Sequence, residues 1–232
     1  MSTGRELAPG TQPVRVWDLP TRVFHWLLAV LVVFSVVSAT IGGNAMVWHM
    51  RSGFAILTLL AFRLVWGFVG GHWSRFRAFV YAPSTSLRYL RGQSEPHEHH
   101  HVGHNPLGAG SVFALLAILA LQVATGLVAD DEIATTGPLI KYVSSATSSL
   151  ATSWHKNYGQ WIIYGLVALH IGAIAFYWFG RRQNLVGPML HGDKLLTADV
   201  PHAVDNGRTR TVALAVVLVC ALVVTAVVRL GN

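Results

Sequence analysis

Apolar residues gather into five long runs, at 23–41, 48–69, 107–128, 155–178 and 212–228, and charged and turn-forming residues return between them. Each run is close to the ~20 residues that a helix needs to cross ~30 Å of hydrocarbon, so the pattern predicts five membrane-spanning helices. The last run, Val212 to Val228, is at the short end for spanning, and Arg208 and Arg210 flank it. Asn105-Pro106 offers an N-cap followed by a first-turn proline for the third helix. Pro20, Pro83 and Pro188 are expected outside helix interiors, and no fixed-period repeat is visible. The stretch 129–153 is rich in Ser, Thr and Ala, and 183–211 is polar with several turn formers; both are expected as loops and not as separate domains.

Composition agrees with a membrane chain. Of 232 residues, 53% are hydrophobic and only 12% charged, which argues against a water-soluble globule. The single cysteine, Cys220, lies inside the fifth run, excluding a disulfide framework, a CxxC metal knuckle and covalent haem attachment through CxxCH. A formal net charge of +7 raises nucleic acid as a partner, but the basic residues sit at the ends of apolar runs, where membrane topology explains them. Arg5, Arg15, Arg22, Arg75, Arg77, Arg88, Arg91, Arg181, Arg182, Lys194, Arg208 and Arg210 fall in segments that share one side, against Lys141, Lys156 and Arg229 near the other. The positive-inside rule then predicts a cytoplasmic N-terminus and, with five spans, an external C-terminus. Arg15, Arg22 and Val37-Ser38-Ala39 imitate a secretory signal, but the apolar run between them exceeds a usual signal core, so an uncleaved helix is expected.

Four histidines, His25, His49, His155 and His170, fall within these runs, where an imidazole facing lipid is costly and ionisable residues are functional candidates. His25 stands at the cytoplasmic start of helix one, and His49 and His155 at the external starts of helices two and four. His170 follows His155 by 15 residues. That spacing is about 22 Å of helix and only about 60° of rotation, so it brings His170 level with His25 on the same face. The expected pairs are His25 with His170 and His49 with His155. Two imidazoles facing each other from different helices suit a bis-histidine haem. Zinc usually takes three or four ligands including Cys or carboxylate, and no Asp or Glu lies within the runs. For each histidine alone, a hydrogen bond to a neighbouring helix is the competing account.

Gly53, Gly159, Gly165 and Gly172 would give a porphyrin room near these histidines, although small residues also serve plain helix packing. Arg51 and Arg63 place two cations on helix two without a carboxylate in any run, and haem propionates would supply the missing anions. Snorkelling to the interface is the alternative for Arg63.

The stretches Arg22-Val23-Phe24-His25-Trp26, Trp48-His49-Met50-Arg51-Ser52-Gly53 and Ser153-Trp154-His155, with His170 fifteen residues on, resemble the bacterial cytochrome b561 family. Gly103-His104-Asn105-Pro106-Leu107 resembles a motif of its relatives, the b-type cytochrome subunits of nickel-iron hydrogenases. The likeness spans about 15–190. It implies a four-helix core holding two haems b, with His25/His170 on the cytoplasmic haem and His49/His155 on the external one, and electron exchange with quinone. The fifth helix lies outside it. The expected fold is therefore an all-α four-helix diheme bundle over 1–190, followed by a cytoplasmic linker and a fifth transmembrane helix over 191–232.

Closed axial positions leave no open iron site for substrate, so electron transfer is the expected function, between the quinone pool and an external redox protein such as a c-type cytochrome or a dehydrogenase subunit. Membrane lipid is the surrounding partner, nucleic acid is not expected, and a homodimer is compatible with the sequence. His104 and Asn105 are candidates for propionate or quinone contact, with helix capping as the alternative. Asp130, Asp131 and Glu132 form an external acidic patch suited to a basic redox partner. Such a patch disfavours the anion superoxide, which ranks superoxide:quinone oxidoreductase second. A membrane metal carrier, prompted by His97-Glu98-His99-His100-His101, ranks third, because transport would need polar ligands along a path through the spans. His72, His191 and His202 receive no role.

Overall fold

The first apolar run becomes helix four residues earlier than its hydropathy predicts, because Asp18 caps it. In the computed structural model, which describes residues 10–93, 102–133, 135–197 and 200–231, α1 spans Leu19–Ile41 and the Asp18 carboxylate accepts from the Thr21 amide at 2.8 Å. Pro20 sits in its first turn, where its missing N–H has no intrahelical partner to lose. The next element, α2, spans Met46–Val69, and a short α3 covers Pro83–Leu90. Asn105 caps α4, Pro106–Gly126, through the Gly108 amide at 2.8 Å, as its sequence predicts.

The fourth span differs from expectation. Ser144 caps a helix, α5, over Ser145–Ser153, which runs through a π-helical turn at Trp154–Gly159 into α6, Gln160–Phe179. Residues 145–153, the end of the Ser/Thr-rich stretch expected as loop, therefore form the first part of a 35-residue rod, while 129–144 connects the spans as expected. Beyond it come α7, Val186–His191, and α8, Gly207–Arg229, the fifth span. All five long apolar helices have the length and composition to cross a membrane.

The connections group at two ends of the bundle. We call the end holding 10–18, 70–93, 102–105 and 180–206 the basic face and the end holding 42–45 and 127–144 the far face. In the bundle α2 is central, packed on α1, α4 and α8. Phe24, Leu59, Phe62 and Trp66 join Ala213 and Cys220 of α8 in one apolar cluster, so the fifth helix belongs to the core. A second cluster, Ile56, Leu60, Ile118, Leu119 and Ile163, fills the middle of the bundle. The α6 backbone runs along α4 and stands off α1 and α2, with which it shares no such run of close contacts.

Two short strands, absent from the expected fold, cap the basic face. β1, Gln12–Arg15, pairs antiparallel with β2, Asp193–Leu196, and Val14, Val16, Trp17, Val102, Leu196 and Val200 form a small core beneath them. Asp205 clasps this cap to the spans. Its side chain is only 3% exposed and meets Arg15 at 2.9 Å, Arg210 at 2.9 Å and Arg22 at 3.6 Å. Burial alone would raise the Asp205 pKa, but the Arg210 hydrogen bond and charge, with Arg15 and the Leu19 amide, outweigh it and hold the carboxyl below its ordinary value. A depressed pKa means that the clasp stabilises fully above the unfolded value of about 4 and is lost as pH falls through the folded one. Asp205→Asn is expected to cost about 2 kcal/mol at neutral pH, the scale of charge-assisted hydrogen bonds. In unfolding titrations of the detergent-solubilised protein, its deficit against wild type should close as pH falls through the depressed folded-state pKa; a deficit constant with pH would show that the carboxylate charge is irrelevant.

Candidate functional site

The four intramembrane histidines come together in the two pairs that their spacing predicts. His49, in the first turn of α2, faces His155 in the π-turn, with ring centroids 6.0 Å apart and planes at 86°. Toward the basic face, His25 of α1 faces His170 of α6 at 6.3 Å and 51°. The π-turn takes one residue more than an α-turn, so it rotates His155 relative to His170 by about 100° from the plain helical phase, from about +60° to about −40°. Both phases keep the two rings on the side of α6 that stands off α1 and α2.

Two features hold the far-face pair. The Nδ1 of His49 lies 2.9 Å from the Ser35 carbonyl and 3.1 Å from its hydroxyl, and the Nδ1 of His155 lies 2.8 Å from the Gln122 carbonyl. A carbonyl only accepts, so both Nδ1 atoms carry the proton and both Nε2 atoms keep a free lone pair for a metal. Gln122 also donates through Nε2 to the His155 carbonyl at 2.9 Å, which ties α4 to the π-turn from both directions. Close approach requires glycine at two neighbouring positions. A Cβ on Gly126 would meet the His155 ring at 2.9 Å, and one on Gly159 would collide with Gln122. Next to the pair a cavity of about 600 Å³ is lined by both rings, Gly53, Leu119 and Ile163, with Asp130 at the rim. A Cβ on Gly53 would meet nothing within 4 Å, nor would one on Gly165 or Gly172, so these glycines border open space and not a packed helix contact.

A haem fits this geometry. Metal–nitrogen bonds of about 2 Å on both sides of a macrocycle put the centroids of two axial imidazoles about 6.4 Å apart, close to both observed spacings. His25 offers a further sign, because its Nδ1 is buried with no hydrogen-bond partner among the described residues. Side chains other than histidine do not complete a metal cluster; among the described residues no group of three His, Cys, Asp or Glu converges. Apolar helices that cross a membrane and hold facing imidazoles at two depths define a membrane cytochrome.

Comparison with known proteins gives the particular family. The family model described as prokaryotic cytochrome b561 matches residues 16–192, and the chain belongs to that family. Similar proteins carry the name "Probable Ni/Fe-hydrogenase B-type cytochrome subunit". The one from Bradyrhizobium diazoefficiens is 25% identical over 224 residues, 82% of this chain and 89% of that one. The one from Azotobacter chroococcum is 26% identical over 236 residues, 85% and 95% of the two chains. In Escherichia coli K12 the "Probable Ni/Fe-hydrogenase 1 B-type cytochrome subunit" is 25% identical over 190 residues, 67% and 80%. No solved structure gives a significant match. Family membership brings haem b and membrane electron transfer, and with five apolar helices it makes the chain a multi-pass membrane protein of bacterial type.

The two arginines part company. Arg51 is exposed and stacks over Trp48 at 4.9 Å. Arg63 is 3% exposed, which removes snorkelling as its account; it donates to the Ser74 carbonyl at 2.9 Å and lies over the Phe76 ring at 4.8 Å. Its anion is within the protein. Ser74 donates through Oγ to Asp18 at 2.7 Å, so Ser74 bridges Arg63 and Asp18, a carboxylate just outside the apolar run. Asp18, reached through Ser74, therefore gives Arg63 a counter-charge inside the protein.

Asn105 is occupied as a cap, and its Nδ2 donates to the Tyr177 hydroxyl at 2.7 Å. His104 is different. Its ring sits between Phe79 at 4.6 Å and Trp17 at 4.7 Å, and its Nδ1 is buried without a partner among the described residues. Burial first, and then the charges of Arg63, the His25/His170 pair and Lys194, push its pKa down to about 3, so it is neutral at physiological pH. The His97–His101 run lies outside the described residues. Ser35, Gln122, Gly126 and Asp18 escaped the sequence reading. Their roles are backbone carbonyls, close approaches and a buried hub, and only Asp18, standing before an apolar run, carried a cap signal that could have found it.

Proposed function

We propose that the chain carries two haems b, one between His49 and His155 and one between His25 and His170, and passes electrons across the bilayer between quinone and a redox enzyme at the far face. The observation that carries this is the spacing of the two ring pairs, 6.0 and 6.3 Å, across the gap by which α6 stands off α1 and α2. Each haem, held by His49 and His155 or by His25 and His170, would supply a one-electron iron couple. The protein's part is to fix the ligands: Ser35 and Gln122 set the tautomers of His49 and His155, and the glycines keep the space open. Toward the basic face, the unpartnered Nδ1 of neutral His104 is available to a propionate or a quinone carbonyl.

The basic face is assigned to the cytoplasm of a bacterial inner membrane on its excess of Arg and Lys. The relatives' names support a hydrogenase-type partner, which the far-face carboxylates Asp130, Asp131 and Glu132 would meet through its basic residues. Residues 1–190 form the diheme unit, and 191–232 form the linker that closes the basic face together with the fifth span.

Haem quantification with oxidised and dithionite-reduced visible spectra of the purified protein tests this directly. Two b-type haems per chain, oxidised by a quinone analogue, are expected. No haem would overturn the proposal, and quinone reduction that requires superoxide would replace it with the superoxide oxidase reading.

A further inference from the structure

The π-turn that carries His155 is held from outside its own helix. Such turns are rare because the wider ring spreads carbonyls from their usual amides, so one persists where neighbouring groups support it. Gln122 of α4 gives that support. Its Nε2 donates to the His155 carbonyl at 2.9 Å, and its own carbonyl accepts from His155 Nδ1 at 2.8 Å. The sense of the amide is determined, since turning it over would set two acceptors, Oε1 and the His155 carbonyl, face to face. At the end of the same turn, Gly159 leaves the space that the amide fills, because a Cβ there would collide with Gln122 Oε1.

The turn has an anchored side and an open one. Trp154 packs against the Ile118, Leu119 and Ile163 cluster and Gly159 is buried, whereas Lys156, Asn157 and Tyr158 are exposed. The extra residue therefore bulges away from the bundle while Gln122 grips the inner side. Losing it would turn His155 by about 100° relative to α6, which at the edge of a helix moves a ring by about 8 Å. A metal–nitrogen bond is about 2 Å, so that displacement breaks any ligation. Either phase leaves the ring on the open side of α6, but only the observed one sets it opposite His49.

We infer that Gln122 is a positioning residue: its side-chain amide maintains the π-turn and thereby places His155 as a ligand opposite His49. This rests on the haem reading above and adds to it the group that makes the far-face site. Ser35 has no such part, because it touches the His49 ring and not the backbone that carries it.

Transfer of haem from the purified full-length protein to excess apomyoglobin reads the hold of each site. Gln122→Met keeps the side-chain length and the backbone carbonyl but loses the amide, and should release one haem of the two ~10–100-fold faster while the other keeps its wild-type rate. Electron paramagnetic resonance of the oxidised protein should shift for that haem alone. The angle between the axial ring planes, 86° here, governs the anisotropy of low-spin iron, and loss of fold stability by itself would not move it. Gly159→Ala, whose methyl displaces the Gln122 amide from the opposite helix, should reproduce both changes and serves if the methionine variant does not fold. Gln160→Met removes a second glutamine from the wall of the same cavity and should alter neither rate nor signal. Wild-type release and signal in Gln122→Met and Gly159→Ala would overturn the inference, as would an equal effect of Gln160→Met. Absence of haem from the wild-type chain sinks the cytochrome reading and the ligand role with it; faster amide exchange over 153–160 in Gln122→Met would then still uphold the hold of Gln122 on the π-turn, and unchanged exchange would remove that as well.

Discussion

His155→Ala is expected to leave the protein with one haem instead of two, and to remove about half of the reduced α-band absorbance, because a closed axial site needs both imidazoles. The ring that disappears is held in place from three directions: its Nδ1 donates to the Gln122 carbonyl, its backbone accepts from Gln122 Nε2, and Gly126 packs against its edge. The truncation leaves His49 facing an enlarged cavity with no partner across it. The basic-face pair lies on α1 and α6, away from α2 and the π-turn, with the Ile56, Leu60, Ile118, Leu119 and Ile163 layer in the middle of the bundle, so its haem should stay. His25→Ala should do the converse. His104→Ala is the control, because its ring lies beside the basic-face pair and not opposite either ring, and both haems should survive. Full haem content in His155→Ala would remove His155 from the ligand set.

The largest stability effect is expected at Asp18. Its carboxylate is fully buried and accepts four hydrogen bonds, from the Thr21 amide at 2.8 Å, the Trp66 indole at 3.2 Å, the Gly71 amide at 3.0 Å and the Ser74 hydroxyl at 2.7 Å. These donors belong to α1, α2 and the segment after α2, so one side chain joins three pieces of backbone at the basic face. Asp18→Ala would strand several buried donors and remove the carboxylate nearest in network to buried Arg63, at a cost of about 4 kcal/mol. Asp18→Asn keeps one acceptor oxygen and turns an NH₂ toward donors, so its loss should be intermediate. Denaturant or thermal unfolding of the solubilised protein measures both. A Tm for Asp18→Ala equal to wild type would mean that water satisfies the hub equally well.

The histidine pairs were legible because residue type, depth and helical spacing are all sequence quantities, and the π-turn shifted the phase without carrying either ring off the shared side. The spans were legible for the same reason, with two exceptions. α1 begins at Leu19 because of a cap, and hydropathy does not register caps. The fourth span begins at Ser145 because Ser144 caps a helix whose Ser, Thr and Ala residues offer no apolar run. What held the site together was less visible. The acceptors of His49 and His155 are main-chain carbonyls, which any residue type supplies, and Arg63 found its counter-charge through Ser74, eleven residues along the chain. The strand pair joins Gln12–Arg15 to Asp193–Leu196, and such distant pairing leaves no local periodicity to read.

That strand pair also orders assembly in time. Arg15 and Asp205 are 190 positions apart, so β1 has neither its pairing edge nor its carboxylate until the ribosome has produced the chain beyond the fourth span. Four hydrophobic helices must already be inserted in lipid while Trp17 and the basic end of α1 wait uncovered. Closure is thus a late, post-insertion event, set by long sequence separation rather than by weak local preference.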